Sequence, residues 1–248
     1  MSMSRHRAKP APMASPVASA SRGCAPFAYS EASLSAAKWL ALVLMVIDHS
    51  NKYLFEGAVP WMYAVGRISM PLFAFILGYN LARPGMLAGG GYRRLALRLT
   101  VFGLLATVPF MQLNKLGGGW WPLNMMFTML VSVLAAWLFD LRRPVTVIAA
   151  CLVIAWGGAL GEYWWPAIGL SMAVWNYQRH PSRMLIAGFL TCLALLWVVN
   201  GNLWALAAVP VLSLLQFWSI KLPRATWFFY VFYPLHLAAL WLILFMKG

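Results

Sequence analysis

The chain has 248 residues, 62% of them apolar and only 10% charged, with 19 Lys and Arg against 5 Asp and Glu. Soluble domains run at about half apolar and about a quarter charged, so an aqueous globular enzyme or binding module is excluded. The net charge of +14 would suit a nucleic-acid surface. However, the basic residues sit in short connections between apolar runs, so direct nucleic-acid binding is not expected.

Residues 1–30 are rich in Ala, Ser and Pro and carry Arg5, Arg7, Lys9 and Arg22. They read as a disordered basic arm on the cytoplasmic side, leaving 31–248 as a transmembrane helical domain. Cys24 in the arm has no apolar stretch before it that would make it a lipidation or cleavage site. Cys151 and Cys192 lie inside apolar runs as packing residues. No metal or redox spacing links the three.

A helix needs about 20 apolar residues to cross the hydrocarbon, with about 17 tolerated. Nine segments are predicted, at 36–54, 60–81, 95–113, 122–139, 145–161, 163–177, 184–200, 202–219 and 226–246. The fifth and sixth are short and joined only by Gly161 and Glu162, so a re-entrant hairpin is the alternative there. Alternate connections then sort the charge. Fifteen Lys or Arg fall on one side, three on the other (Lys52, Lys115, Lys247), and Arg67 is intramembrane. The positive-inside rule makes the rich side cytoplasmic. The expected architecture is all-α, a polytopic bundle of about nine spans in a bacterial inner membrane. Its amino terminus is cytoplasmic and its carboxyl terminus periplasmic.

Four ionisable side chains lie within the spans: Asp48 and His49 late in the first, Arg67 in the second and His236 midway along the ninth. Burying a charge at the helix centre costs about 3 kcal/mol on insertion scales, so such groups face the bundle interior and mark function by default. From the helical rise, His49 and Arg67 fall in the periplasmic half, with Asn124 near the same depth and His236 near the midplane. One polar cavity would hold them all. Consecutive residues point about 100° apart, so Asp48 pairs better with Lys52 or Arg67 than with the target of His49. His49 titrates near neutrality and is the candidate for chemistry. His180 reads as a solvated loop residue. The aromatic run Trp227, Phe228, Phe229, Tyr230, Phe232, Tyr233 reads as an interfacial belt. Gly89, Gly90, Gly91, Tyr92, Arg93 and Arg94 form a basic glycine-rich loop without a Walker-type lysine, a weak phosphate motif.

Several short motifs in order resemble the TraX family of conjugal-transfer membrane proteins, which includes a pilin acetylase and has TrbP among its relatives. They are Lys38 through Asp48-His49, Gly66-Arg67 with Pro71, Phe73 and Phe75, Tyr92-Arg93-Arg94, Pro109-Phe110, Asn124 with Phe127-Thr128, and Phe232-Tyr233-Pro234-Leu235-His236. They span about 35 to 245. The resemblance implies a membrane acyltransferase that acetylates the amino terminus of a pilin subunit with acetyl-coenzyme A as donor. It nominates His49 and Arg67, with Asp48 and His236 behind them. On that reading His49 is the general base, Arg67 stabilises the oxyanion or engages the donor, and Asp48 orients the imidazole. Arg93, Arg94 and Arg98 would greet the polyanionic donor from the cytoplasm. No metal is expected. The implied partners are pilin, the lipid bilayer and other conjugation components. The rival readings are a non-enzymatic component of that machinery and a transporter or lipid-handling protein using the same ions as a relay.

Overall fold

The computed structural model describes residues 27–116, 119–223 and 225–247. The greater part of the expected arm, with Cys24 and its arginines, lies outside them, as does Arg224. Phe27 and Tyr29 are already part of the folded unit. Phe27 packs 4.4 Å from Tyr177, and the Tyr29 hydroxyl donates to the Leu212 carbonyl at 2.9 Å.

The helices are α1 Glu31–Leu54, α2 Pro60–Gly66, α3 Ser69–Leu81, α4 Gly91–Leu113, α5 Met125–Asp140, α6 Pro144–Leu160 and α7 Trp164–Arg179. They continue as α8 Arg183–Leu195, α9 Trp197–Asn200, α10 Ala208–Leu215 (entered through a 3-10 turn, Trp204–Ala207) and α11 Thr226–Lys247. Among the described residues there is no strand, only one isolated bridge between Leu123 and Gly161. Five helical stretches are long and apolar enough to cross a membrane: Glu31–Leu54, Pro60–Leu81, Gly91–Leu113, Arg183–Asn200 and Trp227–Lys247. All nine predicted segments are helical, but the other four are shorter. α6 and α7 are two antiparallel helices joined by residues 161–163, of 17 and 16 residues. At the helical rise each is about 25 Å long.

Three of the predicted segments are interrupted, and proline explains two. Pro71 has no amide to give the carbonyl of residue 67 and its ring crowds that carbonyl, so the second segment breaks at Arg67–Ile68 between α2 and α3. Pro210 does the same to residue 206, and the chain enters α10 through a 3-10 turn. The third interruption falls at Leu196, between α8 and α9, without a proline.

The end of the bundle where α1 begins is here the near end, and the end where it finishes is the far end. α3 packs along α7, α4 along α5 and α11, and α1 against α2 and α3. The α3–α7 seam is tight enough that a Cβ on Gly78 would collide with the Ser171 carbonyl. Outward faces are apolar. On α6 only Ala150 and Gly158 are buried, while Val145, Ile148 and Trp156 are exposed. Exposed Cys151 lies on this helix, not in the core. A continuous apolar exterior with a packed interior fits a bilayer as solvent.

An ion network ties the near end together. The Asp140 carboxylate pairs with Arg179, which donates to its Oδ2 at 2.9 Å, and the Tyr92 hydroxyl donates to Oδ2 at 2.7 Å. One acid thus joins the ends of α5 and α7 to the start of α4. Arg83 pairs with Glu31 at 2.6 Å beside it.

Candidate functional site

The far half of the bundle holds the intramembrane polar residues. Asp48, about 7% exposed, sits one and a half turns from the end of α1 and pairs with Arg67 across the α1–α2 interface. The broken helix makes this possible. Gly66 lies directly under Asp48, where any Cβ would collide with the carboxylate. Arg67 also donates from Nη1 to Asn200 Oδ1 at 3.3 Å and lies 4.6 Å over the Tyr63 ring. The Tyr63 hydroxyl donates to the Asn200 carbonyl at 2.6 Å, so α2 and α9 hold the guanidinium from two sides. Of the two partners that sequence left open for Asp48, the structure selects Arg67. Lys52 instead donates to Asn114 Oδ1 at 2.8 Å, and the Asn114 amide donates to the Tyr53 hydroxyl at 3.0 Å.

His49, on the adjacent face of α1, meets α11. Its ring stacks on His236 at 5.3 Å and 11°, and His236 stacks in turn on Phe232 at 5.5 Å. Tyr53 and Tyr233 complete the wall, 5.8 and 6.4 Å from the His49 ring. His49 Nδ1 and His236 Nε2 are buried without a hydrogen-bond partner, as are Arg67 Nε and Asn51 Nδ2. Buried polar atoms are nearly always satisfied, so four unsatisfied ones in one region mark a place that binds something or holds water. The structure therefore gathers His49 with His236, and Asp48 with Arg67, into two adjoining pairs. Asp48 gives its carboxylate to Arg67 rather than to the imidazole. Asn124 takes a structural part, capping α5 through Met126 N–H at 3.1 Å and donating to the Gly103 carbonyl at 2.9 Å.

Glu162 joins this region from the α6–α7 connection. Its N–H donates to the Leu123 carbonyl at 2.9 Å, and Leu123 N–H donates to the Leu160 carbonyl at 2.8 Å, so two backbone bonds clasp the connection to the segment before α5. The side chain lies within electrostatic range of Lys52, Arg67 and Asp48. Burial pushes its carboxyl above the ordinary carboxylate range, against the pull of Lys52 and Arg67.

In the near half lies a cavity of about 370 Å³ between α1, α3, α4, α5 and α11. Its rim carries Lys38, Arg83, Arg94 and Arg98, and its throat is apolar, with Met45, Met125, Met126 and Met129 leading inward to Tyr233. Arg98 lies 4.5 Å over the Trp227 ring. Phe229, Tyr230 and Tyr233, part of the aromatic run read as a belt, line the cavity. Arg93 is exposed and lies off the cavity, because its neighbour Tyr92 takes the inward position. Exposed His180 borders a shallower near-end hollow beside Asp140 and Arg179. Among the described residues no three His, Cys, Asp or Glu side chains form a metal set.

The sequence profile of the TraX protein family matches residues 33–244. The chain belongs to the TraX family. It is 30% identical over 216 residues to Protein TraX of Escherichia coli, covering 82% of this chain and 84% of that protein. Protein TraX of Escherichia coli strain K12 matches at the same identity and coverage. A lipoprotein signal peptidase of Pseudomonas fluorescens is 28% identical over 127 residues, 50% of this chain and 58% of that protein, a shorter likeness that assigns nothing here. No solved structure matches. TraX membership and apolar membrane-length helices together make this a conjugation-related membrane protein.

Within the TraX motifs, Asp48-His49, Gly66-Arg67 and His236 converge, whereas Asn124 caps a helix. Sequence reasoning missed Asn200, Tyr63 and Glu162. Asn200 ends an apolar segment and Tyr63 begins one, positions indistinguishable from interfacial residues. Glu162 reads from sequence only as a linker residue, although a connection so short between two apolar helices is a signal that it cannot stand far from them.

Proposed function

We propose that this protein is an acyltransferase of the bacterial inner membrane that transfers an acetyl group from acetyl-coenzyme A to the amino terminus of a pilin subunit during conjugative pilus assembly. The observation that carries the reading is the near-half cavity. A cationic rim and an apolar throat suit a donor with a polyanionic head and a slender acyl arm, and the throat ends at Tyr233, 6.4 Å from His49. Lys38, Arg83, Arg94 and Arg98 are the residues that would hold the phosphates, Arg as a bidentate partner. The charge-rich near end faces the cytoplasm, where the donor is made, and the polar region faces the periplasm, where pilin waits.

The chemistry then follows from the groups present. An α-amino group has a pKa of about 8 and is mostly protonated at neutral pH, so the acceptor needs a base. His49 Nδ1 is unpartnered and takes the proton. The amine attacks the thioester carbonyl, a C–N bond forms and the C–S bond breaks. The second amine proton passes to the departing sulfur, with His236 stacked on His49 as the second carrier. Arg67 is already fixed by Asp48 and Asn200, and it keeps Nε free to donate to the oxyanion. Asp48 acts by positioning Arg67.

Purified protein in lipid should move labelled acetyl from acetyl-coenzyme A to pilin, and mass spectrometry of pilin from cells with and without the protein should differ by one acetyl group. An unchanged pilin mass would return the assignment to a non-enzymatic or transport role, and normal acetyl transfer by His49→Ala would remove His49 from the part of base.

A further inference from the structure

The shallower hollow at the near end, of about 620 Å³, adjoins the basic cavity. Its wall is the α3–α4 connection from Ala82 to Ala88, folded on itself by the amides of Gly89 and Gly91, which donate to the Gly85 and Met86 carbonyls at 2.8 Å. Asp140, Arg142, Arg179 and His180, at the ends of α5 and α7, line the rest. Asp140 and Arg179 spend their charge on each other, with Tyr92 beside them. Arg142 and His180 do not. Among the described residues neither side chain forms a hydrogen bond or an ion pair. Positive residues at a cytoplasmic face need no ligand to explain them, since topology alone puts them there. Arg143 and Arg183 are such residues, exposed at the same end and off the hollow. Arg142 lines it instead, with a left-handed backbone, φ 53°, that a residue with a Cβ seldom adopts. The hollow and the cavity share two residues, Arg83 and Met86. One ligand can therefore lie across both, with Arg83 between its anionic groups. It must also be long. Arg83 pairs with Glu31, the first residue of α1, and from residue 31 to residue 49 the helix rises about 27 Å.

We propose that this hollow seats the ribose phosphomonoester of the donor, held by Arg142 and His180, with Arg83 shared between it and the pyrophosphate at the cavity rim. The inference rests on the acyltransferase reading and divides the donor between two sites. The cavity takes the pyrophosphate and the acyl arm. The hollow takes the one group that distinguishes coenzyme A from its dephospho form. A phosphomonoester carries about two negative charges and three acceptor oxygens, which suits a guanidinium fork beside an imidazole donor. The hollow sets affinity for the donor; no bond is made or broken there.

The test is binding and kinetics on full-length protein in phosphatidylcholine nanodiscs, with coenzyme A and 3′-dephospho-coenzyme A as probes. Wild type should bind coenzyme A at least about tenfold tighter than the dephospho form. Arg142→Gln combined with His180→Gln should bring the two affinities together, weakening coenzyme A and leaving the dephospho form where it was. Both side chains are exposed, so the fold should survive, and the unchanged dephospho affinity checks that it has. Arg143→Gln removes a charge from the same end and should keep the preference. In transfer assays the double variant should raise KM for acetyl-coenzyme A by about tenfold with kcat kept, and leave KM for acetyl-dephospho-coenzyme A unchanged. Four binding results would overturn this proposal while acyl transfer stands: equal binding of the two probes by wild type, a preference that survives the double variant, a double variant that weakens both probes alike, or a preference lost as fully in Arg143→Gln. Loss of the preference when phosphatidic acid is added to the discs would give the hollow to a lipid headgroup and overturn it too. Absence of transfer by wild type would instead overturn the acyltransferase reading and this proposal with it.

Discussion

Two carboxylate–guanidinium pairs lie at opposite ends of the bundle, and they differ in what surrounds them. At the near end, Asp140 uses both oxygens on Arg179 and accepts from Tyr92, and none of these three side chains has an unsatisfied buried atom. In the far half, Asp48 and Arg67 pair just as closely, but Arg67 Nε, Asn51 Nδ2, His49 Nδ1 and His236 Nε2 remain unpartnered around them. The three side chains of the first network satisfy one another, with a single unpartnered buried atom beside them, Trp175 Nε1 under Arg179, and the network behaves as a staple between helices. The second is open, with hydrogen-bonding capacity left for a ligand. The two pairs are alike as ion pairs and differ in how many unspent donors and acceptors surround them, one beside the first and four around the second.

The comparison breaks most decisively at His49. His49→Ala should lower acetyl transfer by about 10²–10⁴-fold at normal protein abundance, measured with labelled donor. Arg67→Ala should combine both effects. It leaves Asp48 buried without a partner, at a cost of about 3–5 kcal/mol in unfolding measurements in detergent, and it removes transfer. The pair replacement Asp48→Asn with Arg67→Gln should recover much of that stability but not the activity, which separates the fold from the site. Neutralising the cavity rim with Arg94→Gln and Arg98→Gln should raise KM for the donor by about tenfold, with a weaker salt dependence and kcat nearly kept. The smallest effect should come from the near-end staple. Arg179 keeps 23% of its side chain exposed, so Asp140→Asn should cost about 1 kcal/mol of stability and leave transfer unchanged. A loss of activity in Asp140→Asn without unfolding would erase the distinction drawn between the two pairs.

Helix positions were legible because apolar runs and arginine-rich connections alternate, and every predicted segment is helical in place. Less legible were the interruptions, although Pro71 and Pro210 signal two of them by the amides they lack. The Asp48–Arg67 pair was one of two options, because a helical period gives the direction of Asp48 but not which neighbour arrives there. Gly66 settles it by letting α2 approach as closely as it does. Arg93 and Arg94 looked equivalent as consecutive basic residues, yet a step of about 100° turns one toward the cavity and the other away from it. Asp140 was illegible as a staple residue. Its role depends on Arg179 and Tyr92, distant in sequence and brought near only by folding.

Four thioethers, Met45, Met125, Met126 and Met129, stand along the cavity throat. Unbranched, polarizable chains yield to a guest where valine or isoleucine would refuse it. On the acyltransferase reading, discrimination among acyl lengths along such a passage should therefore be graded, fading carbon by carbon rather than stopping at a wall. The same sulfurs expose the passage to peroxide, since each sulfoxide would plant a dipole in an otherwise oily lining.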